Sequence, residues 1–109
     1  MATTSYKILG SLAPSATTNA DLYTVPLSTQ AVCSTLTICN RGAQTTFRVY
    51  ARPAGASVGA AYAIVYDSVI NAGDTIFLSL GITLGASDKV SVYAGTADLS
   101  FSLFGAEVA

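Results

Sequence analysis

The sequence has very few charged residues, and it contains no histidine and no tryptophan. Five Lys and Arg and six Asp and Glu make up 10% of its 109 residues, while hydrophobic residues make up 51%. Soluble domains usually carry about 25% charged residues, and this charge keeps their copies apart in solution. We therefore expect part of this weakly charged surface to be covered by other protein.

The missing histidine removes the residue on which much acid–base and nucleophilic catalysis depends. Ser–His–Asp and Cys–His arrangements cannot be built without it. No glycine-rich loop follows a predicted strand and opens a helix, as a phosphate site requires, and no Asp-x-Asp calcium pattern occurs. No pair stands out among the six carboxylates. We expect a protein that is not an enzyme, with no catalytic residue, cofactor or metal.

Nucleic acid and membranes are not expected as partners. Only Arg48 and Arg52 lie close together among the five basic residues, and a nucleic-acid site needs a basic patch. The longest charge-free run, residues 22–40, contains Pro26, Gln30 and several Ser and Thr, so it is not a span of about 20 apolar residues. The N-terminus lacks the basic and apolar segments of a secretory signal. We expect synthesis in the cytoplasm.

The two cysteines, Cys33 and Cys39, lie six residues apart in one predicted strand. A strand rises about 3.3 Å per residue, which places them about 20 Å apart. The Cα atoms of a disulfide lie within about 7 Å. We interpret both cysteines as small apolar side chains.

Apolar and polar residues alternate with a period of two along most of the chain, which indicates β-strands. The pattern predicts strands at residues 6–10, 21–25, 31–39, 45–52, 62–67 with a continuation at 69–70, 75–80, 89–94 and 99–104. Residues rich in Gly, Asn, Asp and Pro separate them, and residues 54–61 form the longest loop. About eight short strands predict an all-β fold, with a single antiparallel β-sandwich or jelly-roll-like domain at residues 1–109.

The alternation also predicts which side chains form the core. In residues 31–39 it places Val32, Leu36 and Ile38 on one face, and Cys33 and Cys39 on the other. The full predicted core is Ile8, Leu22, Val32, Leu36, Ile38, Phe47, Val49, Ile64, Ile76, Leu78, Val90, Val92, Leu99, Phe101 and Leu103.

The six tyrosines are the main indication of a contact surface. Tyrosine is common at protein interfaces because its ring is apolar and its tip polar, although it is also simply frequent in strands. Tyr50 stands between Arg48 and Arg52 on a predicted outer face. We predict a protein interface at Arg48, Tyr50 and Arg52.

The order of segments resembles a group of small virion proteins from tailed bacteriophages and prophages. The matching stretches are ILG at 8–10, APSATT at 13–18, DLYTVP at 21–26, ICNRG at 38–42, TFRV at 46–49, RPAGA at 52–56, LGITL at 80–84, VYAGTA at 92–97, LSF at 99–101 and FG at 104–105. The resemblance covers nearly the whole chain. Its motifs are turn and core patterns, so they indicate a fold and bring no catalytic residues.

The resemblance implies a self-assembling virion structural protein, made in the host bacterial cytoplasm. Its partners are then further copies, with a homotrimer favoured as in most fibres, and other proteins of the tail or capsid. A tail fibre or baseplate-linked tail appendage is the first placement. A capsid decoration (cement) protein is the alternative. A module that binds a glycan of the host surface is a further alternative from another functional class.

Overall fold

The computed structural model describes residues 3–109. It contains eight strands and, within this range, one short 3₁₀ helix. The elements are β1 (Thr4–Leu12), β2 (Asn19–Thr24), β3 (Gln30–Asn40), β4 (Thr45–Arg52), the 3₁₀ helix (Ala60–Tyr62), β5 (Ala63–Ile70), β6 (Thr75–Leu84), β7 (Lys89–Ala94) and β8 (Leu99–Val108). No helix in the described range has the length and apolar content needed to cross a membrane.

The strands form two four-stranded antiparallel sheets. Sheet 1 has the order β1-β8-β3-β6, and sheet 2 has the order β2-β7-β4-β5. The chain passes from one sheet to the other at every connection except that between β4 and β5. This arrangement is an eight-stranded jelly roll, in which two sheets pack face to face. The predicted all-β sandwich is confirmed.

The core lies between the two sheets and follows the alternation of the sequence over most of its length. Phe47 of sheet 2 meets Phe101 of sheet 1 edge to face, with ring centroids 6.3 Å apart. Such aromatic pairs stabilise a core beyond their buried area. The predicted core residues that are buried are Leu22, Leu36, Ile38, Phe47, Val49, Val90, Val92, Leu99, Phe101 and Leu103.

Three predicted core residues are exposed instead, namely Ile8, Val32 and Ile64, and their assignment to the core was wrong. Each lies beside a register shift. For Ile8 the shift falls between Ile8 and Gly10 in β1, and for Val32 it falls between Cys33 and Thr35 in β3. For Ile64 it falls on the partner strand β4, between Val49 and Tyr50. A bulge adds one residue to a strand and so reverses the faces beyond it.

The bulge in β3 also separates the two cysteines. Cys33 is buried in the core, whereas Cys39 is partly exposed, and both are free. Burial raises the pKa of the Cys33 thiol to about 11. The prediction that Cys33 lies on the same face as Cys39 was wrong, because the extra residue lies between Cys33 and Thr35.

Strands β6 and β8 each run four residues beyond their predicted ends. β6 continues to Leu84 and β8 to Val108. In β6 the strand passes through Gly81, whose φ of 62° favours glycine. Ile76 and Leu78 of β6 are only partly buried against the core, because β6 is an edge strand of sheet 1.

Candidate functional site

The described residues contain no cluster of three or more His, Cys, Asp or Glu side chains suited to a metal. Two of the carboxylates instead bind backbone amides in turns. Asp88 accepts hydrogen bonds from the amides of Gly85 and Ala54, and Asp74 accepts one from Thr75. These carboxylates fix the loops, and the two outer faces of the sandwich are the remaining candidate surfaces.

The outer face of sheet 2, which we call the charged face, carries a network centred on Asp21. Its carboxylate lies 2.7 Å from Arg52 and 3.2 Å from Lys89. Ser91 donates a hydrogen bond of 2.8 Å to it and accepts one of 3.0 Å from Arg52. Partial burial acts to raise the pKa of Asp21, but the hydrogen bonds from Ser91 and Lys89 and the nearby positive charges outweigh it, so the pKa is lowered.

A second group on the charged face surrounds Arg48. Its Nε atom lies 2.6 Å from Asp67. Its guanidinium lies over the rings of Tyr66 and Tyr93, at 4.3 and 4.4 Å from their centroids. Cation–π contacts of this kind favour arginine over lysine. The hydrogen bond with Asp67 raises the pKa of Arg48, so the group stays cationic.

The three predicted interface residues share this face. Arg48 and Arg52 are paired with carboxylates of the same chain, and Arg52 also donates a hydrogen bond to the carbonyl of Ala56. Tyr50 is only 3% exposed and lies outside the core cluster; the 3₁₀ helix Ala60–Tyr62 contacts its strand. An interface here stays a prediction, and Tyr50 offers it almost no accessible area.

The outer face of sheet 1 has a different character, and its orientation follows from the strand register. Leu36 and Leu103 lie opposite each other and are fully buried, so their row points inward. The neighbouring rows point outward, because side chains alternate along a strand. The outward residues are Thr4, Tyr6, Ile8 and Ser11 of β1; Ser100, Ser102, Phe104, Ala106 and Val108 of β8; Gln30, Val32, Thr35, Thr37 and Cys39 of β3; and Thr75, Phe77, Ser79 and Thr83 of β6.

None of these outward residues carries a charge, so we call this surface the uncharged face. The charged residues of the four strands are Lys7 and Glu107, and both lie in inward rows, opposite Gly105 and Ala31. There they bind each other at 2.6 Å, and Tyr23 of sheet 2 donates a hydrogen bond of 2.5 Å to Glu107. Hydrogen bonds from Lys7 and Tyr23 lower the pKa of Glu107.

The exposed large apolar side chains of the uncharged face lie in two places. Tyr6 is 86% exposed and Ile8 60% exposed on edge strand β1, and Val32 stands in the same row as Tyr6. Phe77, 72% exposed, lies on the opposite edge strand β6. Isolated exposed apolar residues are ordinary, but a group of this kind on a charge-free sheet face indicates a contact surface.

An open depression extends this surface at one end of the sandwich. Its volume is about 340 Å³, and its lining includes Gln30, Val32, Thr83 and Val108, which belong to the uncharged face. The remaining lining residues, Ala31, Leu84 and Gly85, are also uncharged. The candidate site is therefore a broad surface without charged strand residues, with an open depression at one end.

Sequence reasoning missed the uncharged face. The alternation placed Ile8 and Val32 in the core, and the bulges that turn them outward leave no mark in composition. The available signal was the absence of Asp, Glu, Lys and Arg from residues 75–84 and 99–106. These charge-free segments define one surface only when the pairing of β1, β8, β3 and β6 is known.

Comparison with solved structures shows the fold. A chain of the infectious bursal disease virus Gx strain matches 99% of this chain with a TM-score of 0.60 and 11% identity. A chain of the VP2 subviral particle of the same virus matches 98% with a TM-score of 0.60 and 10% identity. The present chain covers 32% of the length of each viral chain.

A subunit of the disulfide-linked pili of Bacillus endospore appendages matches 98% of this chain, with a TM-score of 0.53 and 17% identity. Here the present chain covers 85% of the other. No protein-family model matches the chain. No curated protein matches it in sequence.

Proposed function

We propose that this protein is a non-enzymatic structural subunit of a virion, present in many copies and held to its neighbours through the uncharged face. The single observation that carries the proposal is that face: four strands whose outward side chains include no charge, with Tyr6, Ile8 and Phe77 exposed on it. Such a surface is suited to burial against protein, because burial leaves none of its outward side chains with an unpaired charge.

The tail appendage is the placement that we propose, as a tail fibre or baseplate-linked component. Two observations support an appendage. The chain resembles small virion proteins of tailed bacteriophages, and a pilus subunit shares its fold over 85% of that subunit's length. Decoration of the capsid is the alternative, which the likeness to chains of viral particles supports. In either placement the subunit assembles in the host bacterial cytoplasm and contacts other virion proteins.

Glycan binding is the third alternative, because jelly rolls also occur in lectins. It requires an exposed aromatic platform, and Tyr66 on the charged face is the best candidate, since it is exposed beside Arg48. A homo-oligomer is expected in each case; the fibre resemblance implies a trimer, and a dimer is the competing state.

Electron microscopy of purified particles tests this proposal. An antibody against the protein, or a tagged copy, is expected to label the tail in many positions per particle. Labelling spread over the head supports the decoration alternative. Particles without any label contradict a structural role in the virion. A glycan array probed with the same protein separates the third alternative, for which specific binding reduced by Tyr66→Ala is required.

A further inference from the structure

We propose that the uncharged face binds the same face of a second copy of this chain, with the two copies related by a two-fold axis. This inference rests on the proposed function, because it identifies the first partner of the surface that the function uses. Two sheets that pack face to face, about 10 Å apart, are a stable arrangement within proteins. Here the same arrangement forms between molecules.

Charge decides which surface is the partner. Removing charged groups from water is costly even when they are paired with each other, so an uncharged face is best covered by an uncharged counterpart. The charged face offers five charged residues, which are Asp21, Arg48, Arg52, Asp67 and Lys89. Pairing the two different faces would cover that network with Ser, Thr and apolar side chains. Pairing two uncharged faces buries no outward charge of the four strands, and the guanidinium of Arg41, which donates a hydrogen bond to Ser100, lies at the margin of the face.

The area of the face is sufficient for a dimer. Its strands contain 9 to 11 residues. Strands of this length, spaced about 4.8 Å apart with about 3.3 Å per residue, give a face of roughly 20 by 30 Å, or about 600 Å². Two such faces bury about 1,200 Å² in total, which is the lower end of the range for stable, specific interfaces.

The positions of the apolar residues suit a two-fold arrangement. A two-fold axis along the strands lays β6 of one copy over β1 of the other, since these are the two edges of sheet 1. Phe77 lies in the same outward row as Ser11 of β1. The next outward row along the sheet contains Ile8. Phe77 of each copy then lies over Ser11 of the other copy, one outward row away from Ile8. This contact occurs twice, as an isologous interface requires.

The test compares Ile8→Glu with Ile64→Glu. Both positions hold an exposed isoleucine on an edge strand, 60% and 44% exposed, but Ile64 belongs to sheet 2. Sedimentation over a range of concentrations is expected to give the mass of two copies for the wild type and for Ile64→Glu. Ile8→Glu is expected to weaken the pairing at least about 100-fold, because each new carboxylate would be buried against the apolar Phe77 side of the other copy without a charged partner.

A second variant and a second measurement separate the outcomes. Phe77→Glu is expected to weaken the pairing as Ile8→Glu does, and thermal unfolding of dilute protein checks that each variant is folded. A wild-type mass of one or three copies, or pairing that survives both substitutions, overturns the two-fold contact. If the two-fold contact is overturned but virus particles still contain the protein, the proposed structural role in the virion stands. If the protein forms the dimer but is absent from all particles, the structural role is contradicted and the two-fold contact stands.

Discussion

Asn40 is the residue that most directly ties the two sheets together. It lies at the end of β3 in sheet 1 and is almost fully buried. Its amide nitrogen donates hydrogen bonds to the carbonyls of Ile70 and Asn71, at the end of β5 in sheet 2, and to that of Ala43. Its side-chain oxygen accepts one from the amide of Gly42. A residue typical of turns thus satisfies several buried backbone groups that would otherwise be costly.

Phe101 and Phe77 provide a matched pair for measuring burial in sheet 1. Phe101 is fully buried against Phe47, whereas Phe77 points outward. Phe101→Ala is expected to lower the free energy of unfolding by about 3–5 kcal/mol because it opens a cavity in the core. Phe77→Ala is expected to change it by less than about 0.5 kcal/mol. Urea denaturation at a concentration where the protein is monomeric measures both, and similar losses would contradict the assigned faces.

Glu107 makes stability depend on acid pH. Its pKa lies below the ordinary value of 4.5 because of Lys7 and Tyr23. As the pH falls below that value, the unfolded chain takes up the proton first, so the folded state loses stability until the folded carboxyl is also protonated. We expect the loss of unfolding free energy between about pH 6 and about pH 3 to be smaller in Glu107→Gln than in the wild type. Equal losses would show that Glu107 contributes nothing to the acid sensitivity.

At the scale of strands, β4 and β7 begin and end where the alternation predicts. Their boundaries follow from local chemistry, since Pro53 follows β4 and Gly95 follows β7. The faces of β1 and β3 could not be predicted in the same way. A bulge needs no special residue in its own strand and is fixed by the partner strand, which is distant in sequence. The fold class was therefore predictable, whereas the exposed positions of Ile8 and Val32 were not.

Gly105 shows what a bulge demands of its neighbours. It lies opposite Cys33 at the bulge of β3, and a Cβ atom there would collide with the backbone carbonyl of Val32. Gly105→Ala is therefore expected to reduce the free energy of unfolding by about 1–3 kcal/mol, as overpacking does. Gly59→Ala is the control, since its φ is extended and nothing lies within 4 Å of its Cβ position. Thermal unfolding distinguishes them, and equal melting temperatures would contradict the close approach.

At the scale of the molecule, the few charges are divided unequally between the two outer faces. Five of them pair with each other on sheet 2, and none points outward from the strands of sheet 1, where Arg41 reaches only the margin at Ser100. Composition alone indicated a surface covered by protein, and the resemblance indicated a virion. Neither indicated which outer face lacks charge. The charges are separated between the two faces only because β6 and β8, which lie apart in sequence, belong to the same sheet.

This division makes the salt dependence of self-association a test of which face is used. Contacts between charged groups weaken as salt screens them, over a distance of about 10 Å at 0.1 M. Pairing through the uncharged face is expected to keep its Kd within about twofold between about 0.05 and 0.5 M NaCl, because no charged strand residue takes part. Ammonium sulfate is expected to strengthen it, since excluded salts favour apolar burial. An interface at Arg48 and Arg52 instead predicts a Kd that rises steadily with NaCl and responds to Arg52→Ala, because it would exchange the intrachain partners Asp67 and Asp21 for those of a neighbour.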